Sequence, residues 1–311
     1  MIGRGRILIT PRSLTRQGLI AEGPLDLLRQ AGYELVGCTP GEIPAEAELR
    51  RVLPGCVGWL AGVEPITARV LDAADALRVI SRNGAGVDGI DHDAAAERGV
   101  RVVRAAGANA QGVAELAIGL AIDGLRGITW SARALADGQW RRREGRELGD
   151  VTIGVVGLGA IGRRVATMAA ALGADVVAHD PFVAEAPFDL VPLDDLIARA
   201  DVVTLHIPPS PQGRPVIDGA RLARMRRGAV LINTSRSALV DDDAVLAALE
   251  SDQLAAYAVD AYDTEPPAPS RLLAHPATIA TSHLGAYTDA SVRRAAADAV
   301  RNLITALEKE A

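Results

Sequence analysis

Short apolar runs alternate with stretches of helical spacing along nearly the whole of this 311-residue chain. In the first hundred residues the runs at 6–10, 33–38, 56–61, 77–81 and 100–103 read as strands, and the periodic segments at 23–30, 46–52, 67–73 and 92–98 as helices. Alternation of this kind implies a parallel sheet. The pattern resumes after residue 150, with strands at 151–156, 174–178, 201–205, 229–232, 255–259 and 278–281 and helices at 163–172, 193–199, 219–225 and 241–250. Between the halves, Val113, Leu116, Ile118, Leu120, Ala121, Leu125 and Ile128 predict one long helix over 110–137, weakened by Gly119, Gly124 and Gly127. A closing amphipathic helix is expected at 289–308, free to return to the first half. The expected class is α/β, with two doubly wound parallel-sheet domains, and the small, glycine-containing stretch 105–109 suits the first crossover between them.

The apolar run 151–156 leads straight into Gly157-Leu158-Gly159-Ala160-Ile161-Gly162. Strand, tight glycine turn and helix start together receive a dinucleotide pyrophosphate: the first glycine permits the turn, the second admits the anion, and the third packs helix on strand. Asp180 closes the next strand at the spacing at which a carboxylate meets the adenosine ribose hydroxyls. Other strands also end in polar clusters. These are Arg82-Asn83-Gly84-Ala85-Gly86-Val87-Asp88, Asn233-Thr234-Ser235-Arg236, Asp260, and Ser282-His283. Ligands of open α/β sheets bind at the carboxyl ends of strands. Glu265 stands just before Pro266-Pro267, a pair that stops a helix there.

Composition narrows the choice. Apolar residues make up 49% of the chain, enough for two cores. A formal net charge of -6 without a long basic run argues against nucleic-acid binding. No apolar run reaches membrane-spanning length and no early segment has the layout of a signal peptide, so a cytoplasmic location without membrane attachment is expected. Cys38 and Cys56 lack metal-ligand spacing and read as buried thiols, and no metal is expected. Lys309, the only lysine, leaves none for Schiff-base chemistry in the body of the chain. Trp130 and Trp140 suit a contact between copies.

The glycine fingerprint with Asp180, then Asn233-Thr234-Ser235-Arg236, then Val259-Asp260-Ala261-Tyr262-Asp263-Thr264-Glu265-Pro266, then Ser282-His283-Leu284-Gly285, resembles the D-isomer-specific 2-hydroxyacid dehydrogenases. The segments 82–91, RNGAGVDGID, and 109–115, NAQGVAE, are similar to the substrate-loop and first-linker segments of the phosphoglycerate dehydrogenases in that family. The resemblance implies a flavodoxin-like substrate domain, residues 1–104 plus 286–311, around a Rossmann NAD-binding domain at 105–285. It also implies a homodimer joined through the 109–137 helix.

The implied activity is hydride transfer between NAD(H) and a small-molecule D-2-hydroxy acid/2-oxo acid pair, of the phosphoglycerate dehydrogenase kind. That chemistry needs a base for the hydroxyl proton, a cation for the carboxylate and a positioned nicotinamide. The resemblance assigns catalysis to Arg236, Glu265 and His283, with Glu265 fixing the imidazole. Cofactor contacts fall to Gly157, Gly159, Ala160, Ile161, Gly162, Asp180, Thr234, Ser235, Asp260, His283 and Gly285. Substrate contacts fall to Arg82, Asn83, Gly84, Ala85 and Arg236, and Arg82 would be a second cation for a second anionic group. Asp180 favours NAD over NADP by repelling a 2′-phosphate. Two departures touch the substrate side: Ala105-Ala106-Gly107 stands where the family often has Thr-Pro-Gly, and Gly89 where it has Asn. Glyoxylate or hydroxypyruvate reduction, and a nicotinamide-sensing binding protein of the same fold, are the alternatives.

Overall fold

The computed structural model describes residues 4–19, 23–210 and 212–309. Its strands are β1 (Arg6–Ile9), β2 (Arg16–Leu19), β3 (Glu34–Gly37), β4 (Cys56–Ala61), β5 (Val79–Arg82) and β6 (Arg101–Arg104), then β7 (Thr152–Val156), β8 (Asp175–His179), β9 (Asp189–Leu190), β10 (Val202–Leu205), β11 (Ala229–Asn233), β12 (Leu254–Val259) and β13 (Thr278–Ala280). One sheet runs β3-β1-β4-β5-β6, parallel throughout. With the short β2 set aside, this is the 2-1-3-4-5 order of flavodoxin-like folds. The other runs β13-β12-β11-β10-β7-β8-β9, again parallel. Counted from β7 it is the Rossmann order 3-2-1-4-5-6 with β13 added at one edge.

The chain falls into two compact units, Met1–Asn109 with Asp289–Ala311, and Ala110–Thr288. Residues 105–109 stand with the first unit because Ala105 and Ala108 are buried beside Ile7, Ile9 and Leu60. In that unit Leu8 and Trp59 face one apolar layer, and Ile7, Ile9 and Leu60 the other. The second layer is closed by the helix Asp289–Lys309, which buries Ala299, Val300, Leu303, Ala306 and Leu307. Ser81 hydroxyl donates to the Ala299 carbonyl at 2.7 Å, so the polar group under that helix is satisfied.

The second unit also has two apolar layers, one around Ile153, Val155, Val202 and Ile232, the other around Val156, Val203, Leu205 and Leu231. Alternate residues of the same strands supply the two layers, which is why these strands read as unbroken apolar runs. The single helix expected over 110–137 is corrected to two, Ala110–Arg126 and Ile128–Ala136. Gly127 at φ 63° breaks it, a left-handed conformation that glycine takes without penalty. The pieces Arg12–Thr15, β2, β9 and Arg271–Ala274 carry too few residues to show a period in the sequence.

Candidate active site

Every residue of the second unit assigned to the site sits at the carboxyl end of that unit's sheet or in the loops that follow. The glycine turn leaves β7, with Gly157 at φ 94°. A Cβ added to Gly162 would lie 1.8 Å from the Gly157 carbonyl oxygen, whereas nothing lies within 4 Å of one added to Gly159. The first contact is filled by backbone and the second is open, as a pyrophosphate cradle requires. Ile161 precedes the ten-residue helix Gly162–Ala171, and Ala160 is exposed beside it. Asp180 follows β8, accepting from the Leu158 amide at 2.8 Å and the Phe182 amide at 2.9 Å. Its carboxylate is thereby fixed against the glycine turn.

After β11, Asn233 is fully buried and organises the loop that carries Arg236. Its amide group donates to the Arg236 carbonyl at 2.8 Å, and its oxygen accepts from the Ser235 backbone at 3.1 Å. Ser235 hydroxyl donates to the Leu205 carbonyl at 2.7 Å, tying this loop to β10. Arg236 Nη1 donates to the Ser235 carbonyl at 2.7 Å. Thr234 Oγ1 is buried without a partner among the described residues. A buried hydroxyl left this way is costly unless a ligand reaches it.

The histidine–carboxylate pair lies beyond β12 and β13. His283 Nδ1 is 2.5 Å from Glu265 Oε1, and each side chain is 45% exposed, so the pair is open to a ligand. His283 holds φ 55°, an uncommon backbone for a non-glycine residue, and persists there because its loop is held from both sides. Asp260, buried, takes the Thr281 hydroxyl at 2.6 Å, the Leu284 amide at 2.7 Å and the Gly285 amide at 2.9 Å. Tyr262 hydroxyl donates to the Thr281 carbonyl at 2.7 Å, linking the Glu265 loop to the His283 loop. Burial, with the Asp260 and Glu265 charges, raises the Tyr262 phenol above its ordinary value, so it stays a donor. Ser237 hydroxyl donates to Asp263, which joins the Arg236 loop to the same cluster.

Sequence reasoning assigned no part to Asn233, Tyr262 or Thr281. The first two stand inside the motifs already quoted, which was the available signal. Another imidazole, His206, follows β10, but burial pushes it down to about 3 and its Nε2 faces Thr204 Oγ1 at 2.9 Å. It stays neutral over the ordinary pH range and is no second proton carrier.

Arg82 ends β5 in the first unit, followed by Asn83, Gly84 and Ala85. Arg82 Nη1 donates to the Asn83 carbonyl at 2.6 Å. The loop 62–66 runs beside the far end of this segment: the Ile66 amide bonds Gly89 O at 2.8 Å and the Asp91 amide bonds Ile66 O at 2.9 Å. No group of His, Cys, Asp or Glu suited to a metal occurs among the described residues. Nor is any helix there long and apolar enough to cross a membrane.

Two parallel sheets of these orders and a glycine turn over a helix N-terminus, with a histidine–carboxylate pair and an arginine beyond the same sheet end, define a class of nicotinamide-binding oxidoreductase folds. Residues 118–285 match the model of the D-isomer specific 2-hydroxyacid dehydrogenase, NAD binding domain, and the chain belongs to that family. It is 38% identical over 252 residues to the D-3-phosphoglycerate dehydrogenase of Mycobacterium bovis, an alignment covering 79% of this chain and 48% of that protein. With the hydroxypyruvate reductase of Thermotoga maritima it shares 33% identity over 268 residues, 84% of this chain and 88% of that one. The crystal structure of the TT0316 protein from Thermus thermophilus matches with a TM-score of 0.86 at 36% identity, covering 98% of this chain and 97% of that chain. The chain spans about half the length of the curated phosphoglycerate dehydrogenases it matches.

Proposed function

We propose that this protein transfers a hydride between NAD(H) and a D-2-hydroxy acid/2-oxo acid pair, as a phosphoglycerate dehydrogenase-like enzyme. The observation that carries the reading is the 2.5 Å His283–Glu265 pair, on the same sheet end as Arg236 and the glycine turn. Bound nicotinamide supplies the hydride acceptor or donor. Everything else falls to the chain's own residues. Glu265 engages Nδ1 of His283, which leaves Nε2 for the substrate oxygen. A neutral imidazole takes the hydroxyl proton when the hydroxy acid is oxidised, and a protonated one returns it when the oxo acid is reduced. Arg236 offers a planar fork for the carboxylate. Asp180 meets the adenosine ribose, which selects NAD over NADP.

One observation favours a second reading, reduction of hydroxypyruvate or glyoxylate: the Thermotoga maritima hydroxypyruvate reductase is matched over 88% of its length. A panel of phosphohydroxypyruvate, hydroxypyruvate and glyoxylate with NADH separates the two by kcat/KM. Tight NADH binding with no turnover of any 2-oxo acid would overturn both and leave a nicotinamide-sensing protein. Pairing of two copies through the 109–137 region belongs to the same proposal, supported by the exposed Ile128 and Leu135 within it and Trp140 just beyond it. So does a cytoplasmic location, which the unpaired Cys38 and Cys56 favour.

A further inference from the structure

We propose that Arg104, to which the reading above gives no part, is a positioning residue that holds the loop 83–88 in the form that receives a substrate carboxylate. The proposal rests on the hydroxy-acid reading, but its physical core lies within the first unit. Arg104 is the last residue of β6 and pairs in register with Arg82, the last of β5. Register partners in a sheet project to one face, so two guanidinium groups stand side by side over the loop. Like charges in that position are destabilising unless something compensates them.

Carbonyl oxygens supply part of the compensation. Arg104 Nη1 donates to Ala85 O at 3.2 Å, and Arg82 Nη1 to Asn83 O at 2.6 Å. The Ala105 amide reaches Gly84 O at 3.1 Å and Arg82 O at 3.3 Å. Four successive carbonyls, from Arg82 to Ala85, are thereby held by β6, the residue after it and Arg82 itself. The base of the brace is firm, because Asn302 Nδ2 donates to Arg104 O at 3.0 Å and Ala105 is buried. Among the described residues no backbone acceptor pairs with the amides of Ala85, Gly86 or Val87. Three successive amides without backbone acceptors, beside two cations, suit an anion such as a carboxylate. Without Arg104 the Ala85 carbonyl is released and the amide array loses its shape.

The test compares R104A and R104K with the parent protein in reduction of the 2-oxo acid panel, alongside amide hydrogen exchange and thermal unfolding. R104A should raise the oxo-acid KM about tenfold, the loss of one charge-assisted hydrogen bond, while the NADH KM stays within about twofold. R104K, which can still donate to Ala85 O, should recover part of that loss. Exchange over the peptide 82–90 should quicken in R104A and stay unchanged in the second unit. An equal rise in both KM values, an unmoved oxo-acid KM, or unchanged exchange in this peptide would overturn the proposal. If the parent reduces no 2-oxo acid, the hydroxy-acid reading falls, and the exchange result by itself still decides whether Arg104 holds the loop.

Discussion

At the carboxyl end of the second sheet one buried carboxylate, Asp260, gathers a hydroxyl and two amides and holds the His283 loop at φ 55°, whereas at the carboxyl end of the first sheet two guanidinium groups gather carbonyl oxygens. The polarity of the brace decides what each loop has left to offer. A carboxylate that takes up amides lets the loop present a side chain, here an imidazole backed by Glu265. Cations that take up carbonyls leave amides, which suit an anion. On the proposed reading, the His283 loop of the second unit serves proton transfer and the 83–88 loop of the first serves anion recognition. The buried brace should also be the stiffer, since a charge-assisted hydrogen bond is worth more out of water than in it.

The comparison is broken most severely at the proton carrier. His283→Ala should lower kcat by about 10²- to 10⁴-fold in both directions while NADH affinity stays near the parent value. Stopped-flow turnover and fluorescence titration of NADH check this, and a residual rate near the parent's would remove His283 from the mechanism. Asp260→Ala comes next, because it orphans three donors around a buried site, at a cost of about 3 kcal/mol or more in unfolding free energy together with a fall in kcat. Asp260→Asn keeps an acceptor and should lie between the two. Denaturant unfolding and turnover measured on both variants sharpen the claim; a stability loss with unchanged kcat would make the brace irrelevant to His283.

Gly162→Ala probes the glycine turn after β7, the proposed cofactor site. The added carbon has 1.8 Å of space before the Gly157 carbonyl, so the turn must shift, and overpacking of this kind costs about 1–3 kcal/mol, read as weaker NADH binding by calorimetry.

The smallest effect is expected at Asp201, a control of the same residue type at the opposite, amino end of the second sheet. Burial by itself would raise its carboxyl, but hydrogen bonds from Arg146, the Thr152 amide and Arg226 outweigh that and hold it below the ordinary carboxylate range. Its stabilisation is therefore present above about pH 4 and lost as pH falls through the lowered native value. The stability gap between parent and Asp201→Asn should shrink on acidification below about pH 4, with kcat unaffected at neutral pH. A gap that grows on acidification would contradict the assignment.

Strand and helix alternation was legible in the sequence because strands buried on both faces must be continuously apolar, and the glycine turn because only glycine fits where Gly157 and Gly162 meet. His283, Glu265 and Arg236 were legible through the motifs around them, though not their spacing in three dimensions. Gly127 misled the reading of 110–137, since glycine inside an apolar period weakens a helix without stating whether its φ becomes positive. The braces were hidden for a different reason. Tyr262 and Arg104 act through backbone carbonyls of other segments, Thr281 through Asp260 beyond the neighbouring strand and Asn233 through the backbone of its own loop, and a backbone acceptor has no signature in a sequence.

What the sequence determined by itself was local and periodic: most of the strands and helices, where glycine is obligatory, and which polar side chains stand at strand ends. Tertiary structure alone decided how those side chains are held. Residues 260 and 285 are brought to 2.9 Å by strands that are neighbours in the sheet, and Arg104 is brought over Ala85 by the register of β5 with β6. Strand pairing converts separation along the chain into adjacency, and no pattern within either segment encodes its partner.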